Sequence, residues 1–410
     1  MKILFFTENT HCGGLDSFLV SLLNNWPHPE DELVFVCNAS HPGLEGIRQS
    51  LSRPCVVMGH EIPGYLGLVT KTRKNRLLDL IRKLFSPLLR YAFFLYYIFR
   101  LKHELLSHEA DRLMVLNGGH PGGDTCRAAI IAWGLFAGRR PHAVYNFHNL
   151  AAAPRWFEKW PEKLIDHFVV RYSKALIGVS RVCAESLRKR LGAMNAGRVS
   201  WIYNGIAAPA AVPAAADLRA QFGFPADSLV CLMLATYEPR KGHDFLLRVF
   251  RQVVSQIPSA RLLICGYGYP EEIERVEALV RQYGLAGQVV LHGFRRDIDF
   301  LIGQSDLLLV ASQAFESFGL TSVEAMARRV PVVATRVGGI PEVVADGEGG
   351  FCFEPDDVDG YAGCIVKFLG DPELRKAQGE LGYRRYQTLF TVARMAQQYA
   401  GVIRADDAAG

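Results

Sequence analysis

Short apolar runs rich in Val, Ile, Leu and Phe alternate along this chain with stretches whose apolar positions recur at helical spacing. In the first half the runs fall at residues 2–7, 33–37, 54–57, 113–117, 143–148, 175–179 and 199–203. In the second they fall at 229–235, 261–265, 289–292, 307–310 and 332–335. Short runs of this kind, bounded by turn formers and separated by amphipathic segments, predict parallel strands joined by crossover helices. The fold expected is α/β and doubly wound, twice over. Residues 207–217 read AAPAAVPAAAD, an Ala/Pro stretch that cannot build a core and predicts a linker. The expected domains are 1–206 and 218–385, with 386–410 as a C-terminal helix packing back on the first domain. No tandem repeat is present. Sheets of this kind take ligands beyond the carboxyl ends of their strands, so two in series predict a cleft between them.

Residues 71–102, KTRKNRLLDLIRKLFSPLLRYAFFLYYIFRLK, break the pattern. Nine cations, Lys71, Arg73, Lys74, Arg76, Arg82, Lys83, Arg90, Arg100 and Lys102, stand against one acid, Asp79. From 84 to 101 the segment is apolar or aromatic apart from Ser86, Arg90 and Arg100. Its length, Pro87 and Arg90 disfavour a membrane span. A basic helix lying in a membrane interface is the expectation, with a buried crossover helix as the alternative.

With 410 residues, half of them apolar and about a fifth charged, the chain is too long for one ordinary core and well supplied for two. The nine cysteines lie far apart, with no C-x-x-C pair and no zinc-type spacing, and predict buried thiols in a reducing compartment. The opening MKILFFTENT is too short an apolar run for a signal peptide and predicts a first strand in a cytoplasmic protein. Residues 1–207 hold 26 Lys+Arg against 16 Asp+Glu, whereas 208–410 hold 20 against 25. The basic half is expected to meet an anionic partner: a membrane surface, a phosphorylated acceptor or nucleic acid. Its cations cluster beside an apolar stretch and not among stacking aromatics on a sheet, which argues against nucleic acid.

The densest chemistry lies in residues 311–351, ASQAFESFGLTSVEAMARRVPVVATRVGGIPEVVADGEGGF. A buried strand at 306–310 runs into a loop at 315–318, and Gly319 opens a helix that ends near Arg328. The backbone N–H groups of Gly319, Leu320 and Thr321 would then stand unpaired at the positive end of a helix dipole, where a pyrophosphate is stabilised. Glu316 precedes that helix start, and Glu324 sits eight residues later within it. One carboxylate can reach a sugar and the other can accept bonds from ribose hydroxyls. Read separately, they are a loop charge and a surface helix residue, where most glutamates belong. A second element, LATYEPRKGHDFLL at 234–247, places Arg240 and Lys241 in a loop before a helix, suited to neutralising a leaving diphosphate. Gly13 and Gly14 follow the first strand and suggest a tight turn where backbone approaches a ligand. His148 ends a strand, and the loop NGGHPGGD at 117–124 ends another, its glycines suited to admitting an acceptor. Asp297 and Asp299 spell D-x-D, but at a helix start, where Asp is a favoured cap, so no metal is expected there.

The pair Glu316 and Glu324, with SFGL between and PVVATRVGGIPEVV after, resembles the retaining GT-B glycosyltransferases of family GT4, the glycosyl transferases group 1. The likeness runs along most of the chain and is densest from 232 to 353. It implies a GT-B fold, two Rossmann-like domains facing across a cleft, and a metal-independent hexosyltransferase using a UDP- or GDP-sugar as donor, with no cofactor. It also implies that Glu316 lies near the donor sugar, Glu324 on the ribose, and Gly319 and Leu320 on the phosphates through their N–H groups, flanked by Phe318 and Thr321. Residues 234–247 resemble the family's R-x4-KG element with a departure, because Thr236 stands where the family places Arg. Gly13 and Gly14 match its glycine loop, and His148 its histidine close to the donor sugar. Gly266, in GYGYP at 266–270, stands where G-D-G-P is frequent, with Tyr267 in place of the acid. With the basic and aromatic segment 71–102 holding the first domain on an anionic surface, the expected acceptor is a lipid-linked or polysaccharide precursor at the inner membrane face. A nucleotide-sugar epimerase on the same architecture, and a binding protein that has lost catalysis, remain as alternatives.

Overall fold

The computed structural model describes residues 1–63, 76–210 and 217–406, with backbone only at 76–87 and 193–195. The expected linker lies largely outside these residues, as do Lys71, Arg73 and Lys74. Two compact units are present. The first comprises Met1–Tyr203 with Val392–Gly410, and the second Asn204–Thr391.

Seven parallel strands form the first sheet: β1 (Lys2–Thr7), β2 (Glu32–Asn38), β3 (Val56–His60), β4 (Arg112–Asn117), β5 (Ala143–Phe147), β6 (Ser173–Gly178) and β7 (Val199–Trp201). Their order is β3-β2-β1-β4-β5-β6-β7. The order reverses between β1 and β4, so the loops after these two strands diverge and leave a crevice at their carboxyl ends. Helices α1 (Gly14–Asn24), α2 (Leu44–Ser50), α3 (Arg76–Leu106), α4 (Asp124–Phe136), α5 (Lys159–Arg171) and α6 (Arg181–Leu191) make the crossovers. Strands such as KILFFT are buried along nearly their whole length, as a parallel sheet covered on both faces requires.

The second sheet has six strands: β8 (Leu229–Leu234), β9 (Ala260–Cys265), β10 (Val289–His292), β11 (Leu307–Val310), β12 (Val332–Thr335) and β13 (Gly350–Phe353), ordered β10-β9-β8-β11-β12-β13. Here the reversal falls between β8 and β11. The strand GFCF of β13 is absent from the sequence reading. Four residues hemmed by glycines and a proline carry too little pattern to separate from loop. The helices are α7 (Leu218–Gln221), α8 (His243–Gln256), α9 (Pro270–Gln282), α10 (Ile298–Gly303), α11 (Leu320–Ala327), α12 (Ile340–Val343), α13 (Val358–Gly370) and α14 (Pro372–Leu389). The last helix, α15 (Val392–Arg404), belongs to the first unit. Val392, Met395, Ala396, Tyr399, Ala400 and Ile403 recur at helical spacing and join the core formed with α1 and β1.

The α3 helix runs unbroken through Pro87 and works as the crossover between β3 and β4. Phe94, Tyr97, Ile98, Leu101 and Leu105 are in the core, while Leu88, Leu95 and Phe99 stand out on the surface. Arg90 is not a surface cation. Its guanidinium clamps Asp124 through two hydrogen bonds, 2.9 and 3.1 Å, and reaches Glu158 at 3.2 Å. The opposite-sign charges that removed it from the surface come from α4 and from the turn before α5, distant in sequence. Among the described residues no helix is long and apolar enough to cross a membrane. The cysteines are free; most are buried, but Cys12 is exposed, against the expectation of buried thiols throughout.

Candidate functional site

In the second unit the switch point brings the two expected elements together. The loop after β8 ends at Gly242, whose φ of 78° is left-handed and whose α-carbon lies against the carbonyl of Ala311, just past β11. A side chain there would overlap that carbonyl, so glycine is required for the loops to touch. The N–H of Gln313 donates to the Arg240 carbonyl at 2.8 Å and fixes the pairing. Lys241 then places its Nζ 2.6 Å from Glu316 Oε2, with both side chains largely shielded from water. Glu316 is held from the other side as well. The N–H of Gly339 donates to its carbonyl at 2.8 Å, and Gly338, at φ 56°, packs so closely on that carbonyl that only glycine fits. The double glycine of RVGG is thus what positions Glu316. It was visible in the sequence as a motif but carried no sign of its partner.

Arg240 is paired with Glu238, at 2.6 Å from Nε, and its guanidinium lies 5.1 Å from the ring centroid of Phe315. Glu238 also accepts from Thr236 Oγ1 at 2.8 Å. Sequence reading missed Glu238, which ties the unusual Thr236 to Arg240. A two-residue separation in a loop gives no pattern signal.

Gly319 caps α11 in the left-handed conformation, φ 91°. Intrahelical bonding begins with Ser322, whose N–H donates to Gly319 O at 3.0 Å, so the amides of Leu320 and Thr321 lie ahead of it. The first turn holds no acid. Glu324 lies farther along α11, and burial raises its carboxyl to about 7. Phe318 is buried, its ring against Phe390 with centroids 5.8 Å apart, so the ring packs within the unit. Gly266 likewise faces the Ala235 carbonyl, and the crowding of β8 and β9 accounts for the glycine. Asp297 pairs with Arg295 in place of capping α10, and Asp299 pairs with Arg328.

In the first unit, Gly13 and Gly14 sit at the switch point without the tight turn expected of them. Gly13 is extended, and neither glycine has a neighbour that a Cβ would meet. The N–H of Gly13 donates to Asp16 Oδ2 at 3.1 Å, so this amide is already satisfied by a carboxylate. His148 follows β5 and meets Phe18 of α1, ring centroids 4.4 Å apart. Its Nε2 is buried without a partner, and burial lowers its pKa to about 3, so the ring is neutral at neutral pH. Glu8, just past β1, went unnoticed in the sequence. Burial, and then Asp124, raise its carboxyl to about 7, and Oε2 is unpaired. The loop 117–124 folds on itself: Gly122, at φ 55°, is packed against Asn117 and the Gly119 carbonyl, and Asn117 donates to Tyr145 Oη at 2.6 Å. Its glycine at 122 serves the loop and does not open a space for an acceptor.

Two family models match the chain: Glycosyltransferase Family 4 over residues 13–208 and Glycosyl transferases group 1 over residues 215–385. N-acetyl-alpha-D-glucosaminyl L-malate synthase of Bacillus anthracis is 31% identical over 183 residues, covering 45% of this chain and 47% of that protein. Putative glycosyltransferase EpsD of Bacillus subtilis is 27% identical over 276 residues, 65% of this chain and 70% of that one. The chain spans about half the length of the first of these relatives. Among solved structures, Anabaena Alr3699/HepE in complex with UDP and glucose superposes with a TM-score of 0.73 at 23% identity, over 98% of both chains. A glycosyltransferase from Rickettsia africae superposes with a TM-score of 0.77 at 16% identity, over 99% of both. At such identities the likeness bears on the fold.

Proposed function

The chain belongs to glycosyltransferase family 4 and has the GT-B fold, and from that premise we propose that it transfers a hexose from a nucleoside diphosphate sugar to an acceptor, with the anomeric configuration retained. The observation that carries the reading is the Lys241–Glu316 pair beside the Gly319 helix start. An arriving diphosphate competes with Glu316 for Lys241 and with Glu238 for Arg240, and gains the amides of Leu320 and Thr321. As the glycosidic bond breaks, negative charge grows on the departing phosphate, where these groups stabilise it. Released from Lys241, Glu316 turns to the sugar hydroxyls, and Glu324 accepts from the ribose. The acceptor hydroxyl attacks from the face of the leaving group, and its proton passes to the departing phosphate. His148, neutral with a free Nε2, is suited to hydrogen bonding with a sugar and not to serving as an acid. Gly13 and Gly14 leave open space in which sugar or acceptor is accommodated.

The charge supplied by Arg240, Lys241 and the helix start removes the need for a metal, and no organic cofactor enters the chemistry. We expect transfer to survive EDTA; loss restored by manganese would bring Asp297 and Asp299 back into the site. UDP-sugars come first in the assay because the Anabaena protein holds UDP and glucose, and GDP-sugars second. The test is transfer from a panel of both, with the product anomer read by proton NMR. An inverted product, or hydrolysis and binding with no transfer, would overturn the reading.

The acceptor is proposed to be a lipid-linked or glycan precursor at the inner face of the cytoplasmic membrane. The net positive charge of residues 1–207 and the outward Leu88, Leu95 and Phe99 of α3 support this. Nucleic acid is not a partner in this scheme.

A further inference from the structure

The segment 155–171, RWFEKWPEKLIDHFVVR, has its charges sorted by the fold. Its three acids all turn inward. Glu158 meets Arg90 at 3.2 Å, Glu162 meets Arg127 at 2.8 Å and Arg190 at 2.6 Å, and Asp166 meets His120 at 2.7 Å and Arg190 at 2.9 Å. Its four bases, Arg155, Lys159, Lys163 and Arg171, all stand in solvent, as does His167. Between them runs a line of outward apolar side chains. Trp156 is 81% exposed and Trp160 84% exposed, and Leu164 and Phe168 follow at four-residue spacing on α5. The other face, Ile165, Val169 and Val170, is in the core. In sequence the segment reads as mixed charge, with three acids among four bases. Only the ion pairs to α3, α4 and α6 reveal that its outer surface has lost every acid.

We infer that this face docks on an anionic lipid bilayer, as a second contact beside α3; the inference rests on the membrane reading proposed above. The stripe is one side chain wide and about 12 Å long at the ordinary rise for Trp160 to Phe168, too narrow for the desolvated centre of a stable protein interface. Lipid headgroups suit it better. Tryptophan rings favour the headgroup level, and flanking lysines and arginines reach the phosphates while their stems stay with the apolar line. A uniformly negative surface also matches a face from which every carboxylate has been withdrawn. The acids are not wasted, since the ion pairs that bury them hold α5 rigidly against α3 and α4.

The experiment uses the whole protein with vesicles of phosphatidylcholine alone or mixed with phosphatidylglycerol, read by co-sedimentation and by tryptophan quenching with brominated phosphatidylcholine. Wild type is expected to bind the anionic vesicles and to be quenched. Trp156→Ser with Trp160→Ser should lose most of the quenching and at least about tenfold in vesicle affinity. Lys159→Gln with Lys163→Gln should weaken binding to anionic vesicles only. UDP-sugar affinity, unchanged in all variants, certifies the fold. Wild-type binding that the tryptophan pair does not alter would overturn this inference and leave docking to α3. No binding by wild type to either vesicle would sink the wider membrane reading with it. A dimer seen by light scattering that the tryptophan variant abolishes, with no vesicle binding, would make the face a contact between copies and overturn the inference equally.

Discussion

The two sheets each follow their switch-point strand with a glycine-capped helix, α1 after β1 and α11 after β11, and the two helix starts are opposite in chemistry. In α1 the third residue after the cap is Asp16, whose carboxylate takes the Gly13 N–H and also faces His41 at 3.2 Å. In α11 the same position is Ser322, and the first turn carries no acid. Both helices offer a positive dipole end. One has filled it with its own anion, and the other, with no acid in its first turn, is the start to which the proposed function assigns the diphosphate. The surrounding groups follow suit: Lys241 stands near α11, while His148 and Glu8 in the first unit are desolvated toward their neutral forms. On the proposed reading, a glycine-rich loop before a helix can serve a phosphate only where the first turn does not supply the carboxylate itself.

The largest test removes the cation from the second site. Lys241→Met should lower turnover by about a thousandfold, since one donor aimed at developing charge is worth about 3 to 4 kcal/mol in such sites. Nucleotide affinity should fall far less. Turnover within tenfold of wild type in a steady-state transfer assay would remove Lys241 from the chemistry.

The next test makes the two helix starts alike. Ser322→Asp transplants the arrangement of Asp16 into α11, where a carboxylate would claim the Gly319 amide and repel a diphosphate. A loss of about a hundredfold in UDP-sugar affinity is expected, the size of a lost charge-assisted hydrogen bond plus repulsion. The reciprocal Asp16→Ser should leave that affinity unchanged. Calorimetric titration of both variants decides it: equal losses would mean that both starts bind the donor.

Gly338→Ala tests the support beneath Glu316. A methyl at φ 56°, pressed on the Glu316 carbonyl, must push the loop aside or strain the backbone by about 1 to 3 kcal/mol. Turnover should drop ten- to a hundredfold, roughly what a displacement near 1 Å costs, and urea denaturation should report the strain. Unchanged turnover with reduced stability would show that Glu316 tolerates movement.

Much of this comparison was legible in the sequence, and the remainder was not for physical reasons. Strands such as KILFFT and LVCLML announce themselves because burial on both faces demands an unbroken apolar run. Glu316, Glu324 and Lys241 could be named because motif spacing preserves them. Their settings could not: Lys241 and Glu316 are 75 residues apart and meet only because β8 and β11 are neighbours. Arg90 read as a free cation for the same reason, its partners Asp124 and Glu158 arriving from other elements. The packing of Phe318 on Phe390 was not legible, because proximity to a motif says nothing of the direction of a ring. The opposition between Asp16 and Ser322 was readable in principle, since both helix starts and both residues were in view, but it requires the cap to be placed to the residue.

The smallest effect concerns Glu324, where pH sharpens the contrast between an empty site and an occupied one. Burial raises its carboxyl from 4.5 to about 7 in the free protein, so the folded state favours the proton. Stability from this group is therefore fully present below the ordinary carboxyl value and is lost as pH rises through about 7. Ribose hydroxyls donate hydrogen bonds and select the ionised form, so bound donor pulls the value back down. UDP-sugar affinity should accordingly be flat above about pH 7 and fall by up to about tenfold per unit below it; the diphosphate of a nucleotide sugar has no proton to lose in that window. In Glu324→Gln the affinity should be lower and independent of pH. The ligand-free variant should gain stability over wild type as pH moves from about 5 to 8, because it has no buried charge to form. Titration calorimetry and thermal melts at three pH values read both slopes, and a wild type whose affinity is the same at about pH 6 and pH 8 would take Glu324 off the ribose.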